Sequence, residues 1–140
     1  MNEYTYSDIQ PGLSESFSVH ITTDMEDSFR TITGDENPLH KSDDFACSVG
    51  SFASHVSFGM LTASFYSTLA GMYIPGKYSL IHSFEDLKFL KPVYAGDMLT
   101  VTGTVEEKND ALKVIVVKAL IKNQRSEKVS SAKIKIIVLV

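Results

Sequence analysis

Cysteine is almost absent from this chain: Cys47 stands alone among 140 residues. That excludes a disulfide within the chain, and it leaves a zinc site to the four histidines, whose positions 20, 40, 55 and 82 show no ligand spacing. Basic residues are also few, with 13 Lys and Arg against 17 Asp and Glu and a formal net charge of -4. The lysines are scattered singly rather than gathered into a stripe, so neither nucleic acid nor an anionic membrane surface is an expected partner. The opening Met1-Asn2-Glu3-Tyr4-Thr5-Tyr6 lacks the basic-then-apolar layout of a secretion signal, and the expected location is the cytoplasm. Internal repeats and low-complexity linkers are missing as well. One run, Val56 to Ile74, carries no formal charge and is long enough to cross a bilayer, but Ser57, Thr62, Ser64, Ser67 and Thr68 dilute it and Pro75-Gly76 stops it. It reads as a helix buried within protein.

What remains is a chain of 44% hydrophobic and 21% charged residues, enough for one globular domain over residues 1–140 and too short for two. Ser16 to Thr22 has strand character, and Thr23-Asp24 offers a cap for a first helix with Met25, Phe29 and Ile32 at helical spacing. A short helical turn over Lys41 to Phe45, capped by Ser42, is expected next, followed by an irregular loop from Ala46 to His55. A second helix runs over about Phe58 to Tyr73, with Leu61, Phe65, Leu69 and Met72 on one face and only small or weakly polar residues on the other, so it must be wrapped on most sides. Four strands follow, at Tyr78 to Leu90, Met98 to Glu107, Leu112 to Lys122 and Lys128 to Val140. Alternation is clearest where Thr100, Thr102 and Thr104 face Leu99, Val101 and Val105, and it requires a cover for one side of the sheet. The long uncharged helix is that cover. The fold class is α+β, a curled antiparallel sheet wrapped around one central helix.

The segment Gly34-Asp35-Glu36-Asn37-Pro38-Leu39-His40 is where chemistry concentrates. Pro38 disfavours helix at Asn37, and Gly34 ends whatever helix precedes it, so Asp35 and His40 sit on two arms of a tight turn and can converge on one water. Asp and Asn in such a loop are also ordinary turn formers that bond their own backbone. A calcium loop is excluded, since its sixth position would be His40 instead of Gly and its twelfth Ala46 instead of Glu. Cys47 has no positioned base beside it. Lys41, Lys77, Lys88 and Lys91 can meet phosphates, although lysines near strand ends are ordinarily solvated. Phe65, Tyr66, Met72 and Tyr73 line an acyl tunnel or simply pack the core, and His55 reads as a solvated loop histidine.

Three motifs in order, Gly34-Asp35-x-Asn37-Pro38-x-His40, then Gly59-Met60-Leu61 opening the uncharged helix, then Phe89-x-Lys91-Pro92-Val93-x-x-Gly96-Asp97, resemble the MaoC-like dehydratases, the (R)-specific enoyl-CoA hydratase family. The resemblance implies a hot-dog fold and a homodimer with its substrate tunnels near the interface. It implies that Asp35 and His40 are the catalytic pair, that Asn37 and Pro38 hold the turn, that the backbone N–H of Gly59 meets the thioester oxygen, and that Ser67 reaches the site from the same helix. The implied reaction is reversible hydration of a 2-enoyl thioester to a 3-hydroxyacyl thioester. Coenzyme A or acyl carrier protein bears the acyl group, and neither a metal nor a separate cofactor is required. The family commonly has His-Gly-Met where this chain has Phe58-Gly59-Met60, a change expected to reshape the pocket mouth, and the loop from Ala46 to Gly59 is about one residue longer. Two other readings of the same residues are a hot-dog thioesterase and a non-catalytic subunit that binds acyl carriers.

Overall fold

A computed structural model describes residues 1–140. Strand β1 (Ser14–His20) leads into helix α1 (Thr23–Thr33), a 3-10 turn at Pro38–His40 and helix α2 (Asp43–Val49). Helix α3 (Gly59–Thr68) continues as a π-turn over Leu69–Tyr73, after which come strands β2 (Ser79–Phe89), β3 (Met98–Asn109), β4 (Val114–Lys122) and β5 (Lys128–Val138). The five strands form one antiparallel sheet in the order β1-β3-β4-β5-β2. The first strand pairs with β3, Phe17 opposite Val101, which places the N-terminal strand at one edge and leaves β2 at the other.

Alternation decides which face meets the helix. Leu99, Val101 and Val105 of β3, Ile115, Val117, Ala119 and Ile121 of β4, and Ala132, Ile134, Ile136 and Val138 of β5 are all buried. They enclose Tyr66, Leu69 and Ala70 of the central helix in one core. Register shifts at Val105/Glu107 and at Ile81/Ser83 and Glu85/Lys88 are the bulges that let the sheet curl. Gly103 marks the closest approach of sheet to helix, because a Cβ there would lie 2.6 Å from Cδ2 of Leu69 and 3.0 Å from Cγ1 of Val117. Tyr66 pins the helix to β5: its hydroxyl donates to Oγ of Ser130 at 2.9 Å, and Ser130 in turn donates to the Lys88 carbonyl at 2.9 Å. Burial pushes the Tyr66 hydroxyl up to about 12, with the Ser130 bond opposing it, so the phenol stays protonated. On the outer face of β1 and β3, Ser14 with Thr104 and Ser16 with Thr102 share hydroxyl bonds of 3.0 Å.

Several boundaries differ from expectation. Thr22, rather than Thr23-Asp24, caps α1, its side chain accepting from the Met25 N–H. Ser42 caps as expected, but α2 runs from Asp43 to Val49, so Lys41 lies outside it and the first part of the expected Ala46–His55 loop, up to Val49, is helix, held by the complete burial of Ala46. The central helix is wrapped less fully than its composition suggests. Met60, Ser64, Ser67 and Met72 are exposed, and Met72 leaves the buried face because the π-turn rotates the chain after Thr68. Along α1 the buried residue is Glu26, while Ile32 is 81% exposed. The apolar flank of Met25, Phe29 and Ile32 instead lines an open groove of about 510 Å³ with Leu61 and Phe65. No helix is long and apolar enough to cross a membrane.

Candidate active site

The Asp/His segment is built from successive side-chain turns. Gly34 closes α1 in the left-handed conformation (φ 70°), its N–H bonding the Arg30 carbonyl. Oδ1 of Asp35 accepts from the Asn37 N–H at 3.0 Å, and Oδ1 of Asn37 accepts from the Leu39 N–H at 3.0 Å. The turn-forming role of Asp35 therefore occupies one carboxylate oxygen and leaves Oδ2 without a protein partner. Asp35 is exposed, on the outer arm of the turn.

His40 occupies the inner arm and is held from several sides. Its Nδ1 lies 2.7 Å from the Val56 carbonyl oxygen, its carbonyl accepts from Arg30 at 3.1 Å, and its ring lies 4.3 Å from that of Phe58. The neighbouring Leu39 carbonyl takes the Val56 N–H at 3.0 Å. A carbonyl oxygen only accepts, so Nδ1 carries a ring proton, and in the neutral ring Nε2 presents the lone pair. An imidazole so fixed can take a proton from a bound molecule and later return it.

A cleft of about 370 Å³ brings His40 together with Ser57, Gly59, Thr62, Phe89, Lys91, Pro92 and Val93, along with further apolar neighbours. All three motif segments thus reach one cavity. Gly59 is the first residue of α3, where backbone N–H groups are unpaired and the helix dipole is positive. A Cβ on Gly59 would lie 3.2 Å from the Phe89 ring, so glycine permits that close approach. Thr62, one turn on, is buried, and its Oγ1 has no hydrogen-bond partner. Lys91 is engaged in an ion pair with Glu127, and Asp97 anchors the loop by accepting from the Tyr94 N–H at 3.0 Å and from Gln124 at 2.9 Å.

Two residues singled out in the sequence lie elsewhere. Asp35 is not among the cleft-lining residues, and Ser67 lies on the exposed stripe of α3 with Met60 and Ser64. His55 is not the solvated loop histidine expected of it. Its Nε2 is 2.9 Å from buried Glu26 and its Nδ1 is 2.6 Å from Asp43. Glu26 also accepts from Ser57, a cleft residue. No group of three or more His, Cys, Asp or Glu side chains is arranged to hold a metal ion, and Cys47 is exposed and unpaired.

A curled antiparallel sheet around a helix whose N-terminus opens into a cleft is the hot-dog fold. The solved (R)-hydratase from A. caviae, described as involved in PHA biosynthesis, superposes with a TM-score of 0.86 at 25% identity, over 93% of this chain and 97% of that one. The MaoC like domain matches residues 7–126, and the chain belongs to that family. It is 32% identical over 102 residues to a 3-hydroxybutyryl-CoA dehydratase from Methylorubrum extorquens, covering 73% of this chain and 64% of the relative. It is 36% identical over 100 residues to an (R)-specific enoyl-CoA hydratase from Rhodospirillum rubrum, covering 71% of this chain and 68% of the relative. The first of these matches thus spans under two thirds of the relative's length.

Proposed function

We propose that this chain catalyses reversible addition of water to a 2-enoyl thioester, giving the (R)-3-hydroxyacyl thioester. Asp35 and His40 would act as the acid/base pair, and the Gly59 N–H as donor to the thioester oxygen. The observation that carries this reading is the His40 contact: with Nδ1 2.7 Å from the Val56 carbonyl oxygen, Nε2 is the nitrogen left for a ligand in a ring lining the same cleft as Gly59.

In the hydration direction, a water at His40 Nε2, shared with Asp35 Oδ2 once that exposed carboxylate turns toward the cleft, gives a proton to the pair as its oxygen bonds the β-carbon. The double-bond electrons move through the α-carbon to the thioester oxygen, where the orphan N–H at the head of α3 meets the developing charge. Return of the electrons takes a proton from the pair onto the α-carbon. One hydrogen and one hydroxyl have then added across the double bond with no change of redox state, so the reaction calls for no cofactor. Asn37 keeps the turn in register. Ser67 joins the site if a second copy covers the exposed stripe of α3, and a homodimer is supported by the exposed Met60 on that stripe and by Leu80 and Phe84 on edge strand β2. The thiol carrier is coenzyme A or the phosphopantetheine of an acyl carrier protein.

The test is loss of the conjugated absorbance of 2-enoyl-CoA and 2-enoyl-pantetheine substrates. Wild type is expected to consume it without releasing thiol, and folded Asp35→Asn and His40→Ala are each expected to lose on the order of 10²–10⁴-fold in rate. Thiol release would convert the assignment to a thioesterase, and binding of acyl carriers without turnover would convert it to a binding subunit.

A further inference from the structure

Beside the cleft lies a cluster of charged groups that the hydration steps leave unused. Glu26 sits on α1 and is only 2% exposed. One of its carboxylate oxygens faces Nε2 of His55 at 2.9 Å and the other accepts from the Ser57 hydroxyl. The second ring nitrogen of His55 lies 2.6 Å from Oδ1 of Asp43, the first residue of α2, and the His55 backbone N–H reaches that same oxygen at 2.9 Å. A carboxyl group at each ring nitrogen favours the imidazolium form, in which His55 donates from both. Three separate segments are tied at one point: α1 through Glu26, α2 through Asp43, and the strap His55–Phe58 through His55 and Ser57. Arg30, one turn along α1 from Glu26, is turned instead toward the His40 carbonyl and the Phe58 ring.

Between the two anchored residues of the strap lies Val56, whose carbonyl oxygen receives Nδ1 of His40. Its N–H is fixed to the Leu39 carbonyl, and the Ser57 N–H is fixed to the Val93 carbonyl at 2.7 Å. We propose that Glu26, His55, Asp43 and Ser57 are positioning residues for His40: they hold the Val56 carbonyl where it imposes the Nδ1–H tautomer and so keep Nε2 free for the cleft. This rests on the acid/base reading of His40 given above. Packing alone does not account for the cluster, because a buried ion pair is commonly no more stabilising than apolar residues of the same volume. Its location does account for it, since every group in it bears on the strap that orients the base.

The cluster depends on protonation. Partial burial pulls the His55 pKa down, but bonds and charges from Asp43 and Glu26 outweigh that and leave it raised. Asp43 is held below the usual carboxylate range, first by the His55 backbone N–H and then by its ring. A raised histidine contributes in full below its unfolded value near 6.5 and loses its contribution as pH rises through the folded value. The His55 contribution is therefore complete below about pH 6.5 and is lost as pH rises through its raised folded value, while the Asp43 contribution is lost as pH falls through its depressed one.

The experiment reads the tautomer and the activity separately. Histidine-ring ¹H–¹⁵N correlation spectra of wild type, Asp43→Asn, Glu26→Gln and His55→Ala report the His40 ring directly, whether or not a substrate is known. Wild type is expected to show one His40 tautomer with Nδ1 protonated, and the folded variants a mixture. In turnover of a 2-enoyl thioester the variants are expected to lose roughly ten- to a hundredfold in kcat, less than the ~10⁴-fold seen when a histidine's direct orienting partner is replaced. KM should stay within about twofold, and added imidazole should restore part of the His55→Ala rate by bridging the two carboxylates again. Asp43→Asn alters only the exposed arm and serves if the buried changes fail to fold. A single unchanged His40 tautomer in the folded variants, or unchanged kcat, overturns the proposal. If wild type turns over no enoyl thioester, the hydratase reading fails while the ring spectra still decide this one.

Discussion

The ring of Phe58 lies 4.3 Å from that of His40, tilted by 33°, and the same phenyl group touches Phe29 at 5.0 Å and underlies the Arg30 guanidinium at 5.7 Å. Phe58 is therefore a wall of the candidate base rather than an isolated change at the pocket mouth. It is 3% exposed, so Phe58→Ala should cost about 3–5 kcal/mol of stability through lost transfer energy and a cavity. Phe58→Leu should cost much less, since more of the volume is retained. Denaturant midpoints check the stability order. Both variants should lower kcat, because each removes the flat surface against which the imidazole rests.

Much of this architecture was legible beforehand, for reasons that differ by element. The four C-terminal strands follow from alternation and turn residues, and each begins and ends within two residues of expectation. The central helix was recognised by its lack of charge, but the same property concealed that Met60, Ser64 and Ser67 stay uncovered within the protomer. Serines at such spacing look alike whether they face a sheet, a cleft or a second copy. The tight turn from Asp35 to His40 is signalled by the glycine before it and the proline within it, although Asp35 does not line the cleft. Glu26 and His55 did not: they are 29 residues apart, and a glutamate on an amphipathic helix ordinarily faces water. The one available hint was phase, because Glu26 and Arg30 lie one turn apart on α1, on a flank adjoining the apolar one.

Gly103 permits the tightest contact between sheet and helix, and its replacement should be costly for a reason that a second mutation can expose. An alanine methyl would meet Cδ2 of Leu69 at 2.6 Å within a fully buried layer. Gly103→Ala is expected to destabilise the fold by about 1–3 kcal/mol through overpacking. In a Leu69→Ala background the same change should cost less, because the clashing branch is gone. Thermal or denaturant unfolding of the four proteins in this cycle gives the coupling between the two sites.

Thr62 holds a hydroxyl that is buried and without a partner, one turn from the head of α3. An unsatisfied buried polar group costs about 1–3 kcal/mol, whereas an isosteric methyl has no such penalty. Thr62→Val is accordingly expected to leave the melting temperature unchanged or raise it, a direction opposite to most substitutions in a core. A clear loss of stability, measured by calorimetry, would show that the hydroxyl is bonded in solution.

Lys91 links the cleft to the turn between β4 and β5 through Glu127, and this link carries a pH signature. Glu127 is lowered from 4.5 to about 2, first by its bond from Lys91 and then by Arg125 and Asn123. A carboxylate whose pKa is depressed in the folded state contributes stability above its unfolded value and loses it as pH falls through the folded one. Its contribution should therefore be complete above the ordinary glutamate value and disappear on acidification from there toward about pH 2. Glu127→Gln removes the titrating group while keeping most of the shape, so the difference in unfolding free energy between wild type and variant should shrink across that window and stay flat above it. Because the Glu127 side chain is partly open to solvent, salt should weaken the effect. Urea unfolding at a series of acid pH values, at low and high salt, measures both dependences. If the difference is flat across the acid range, Lys91 is not paired in solution and is a free cation lining the cleft.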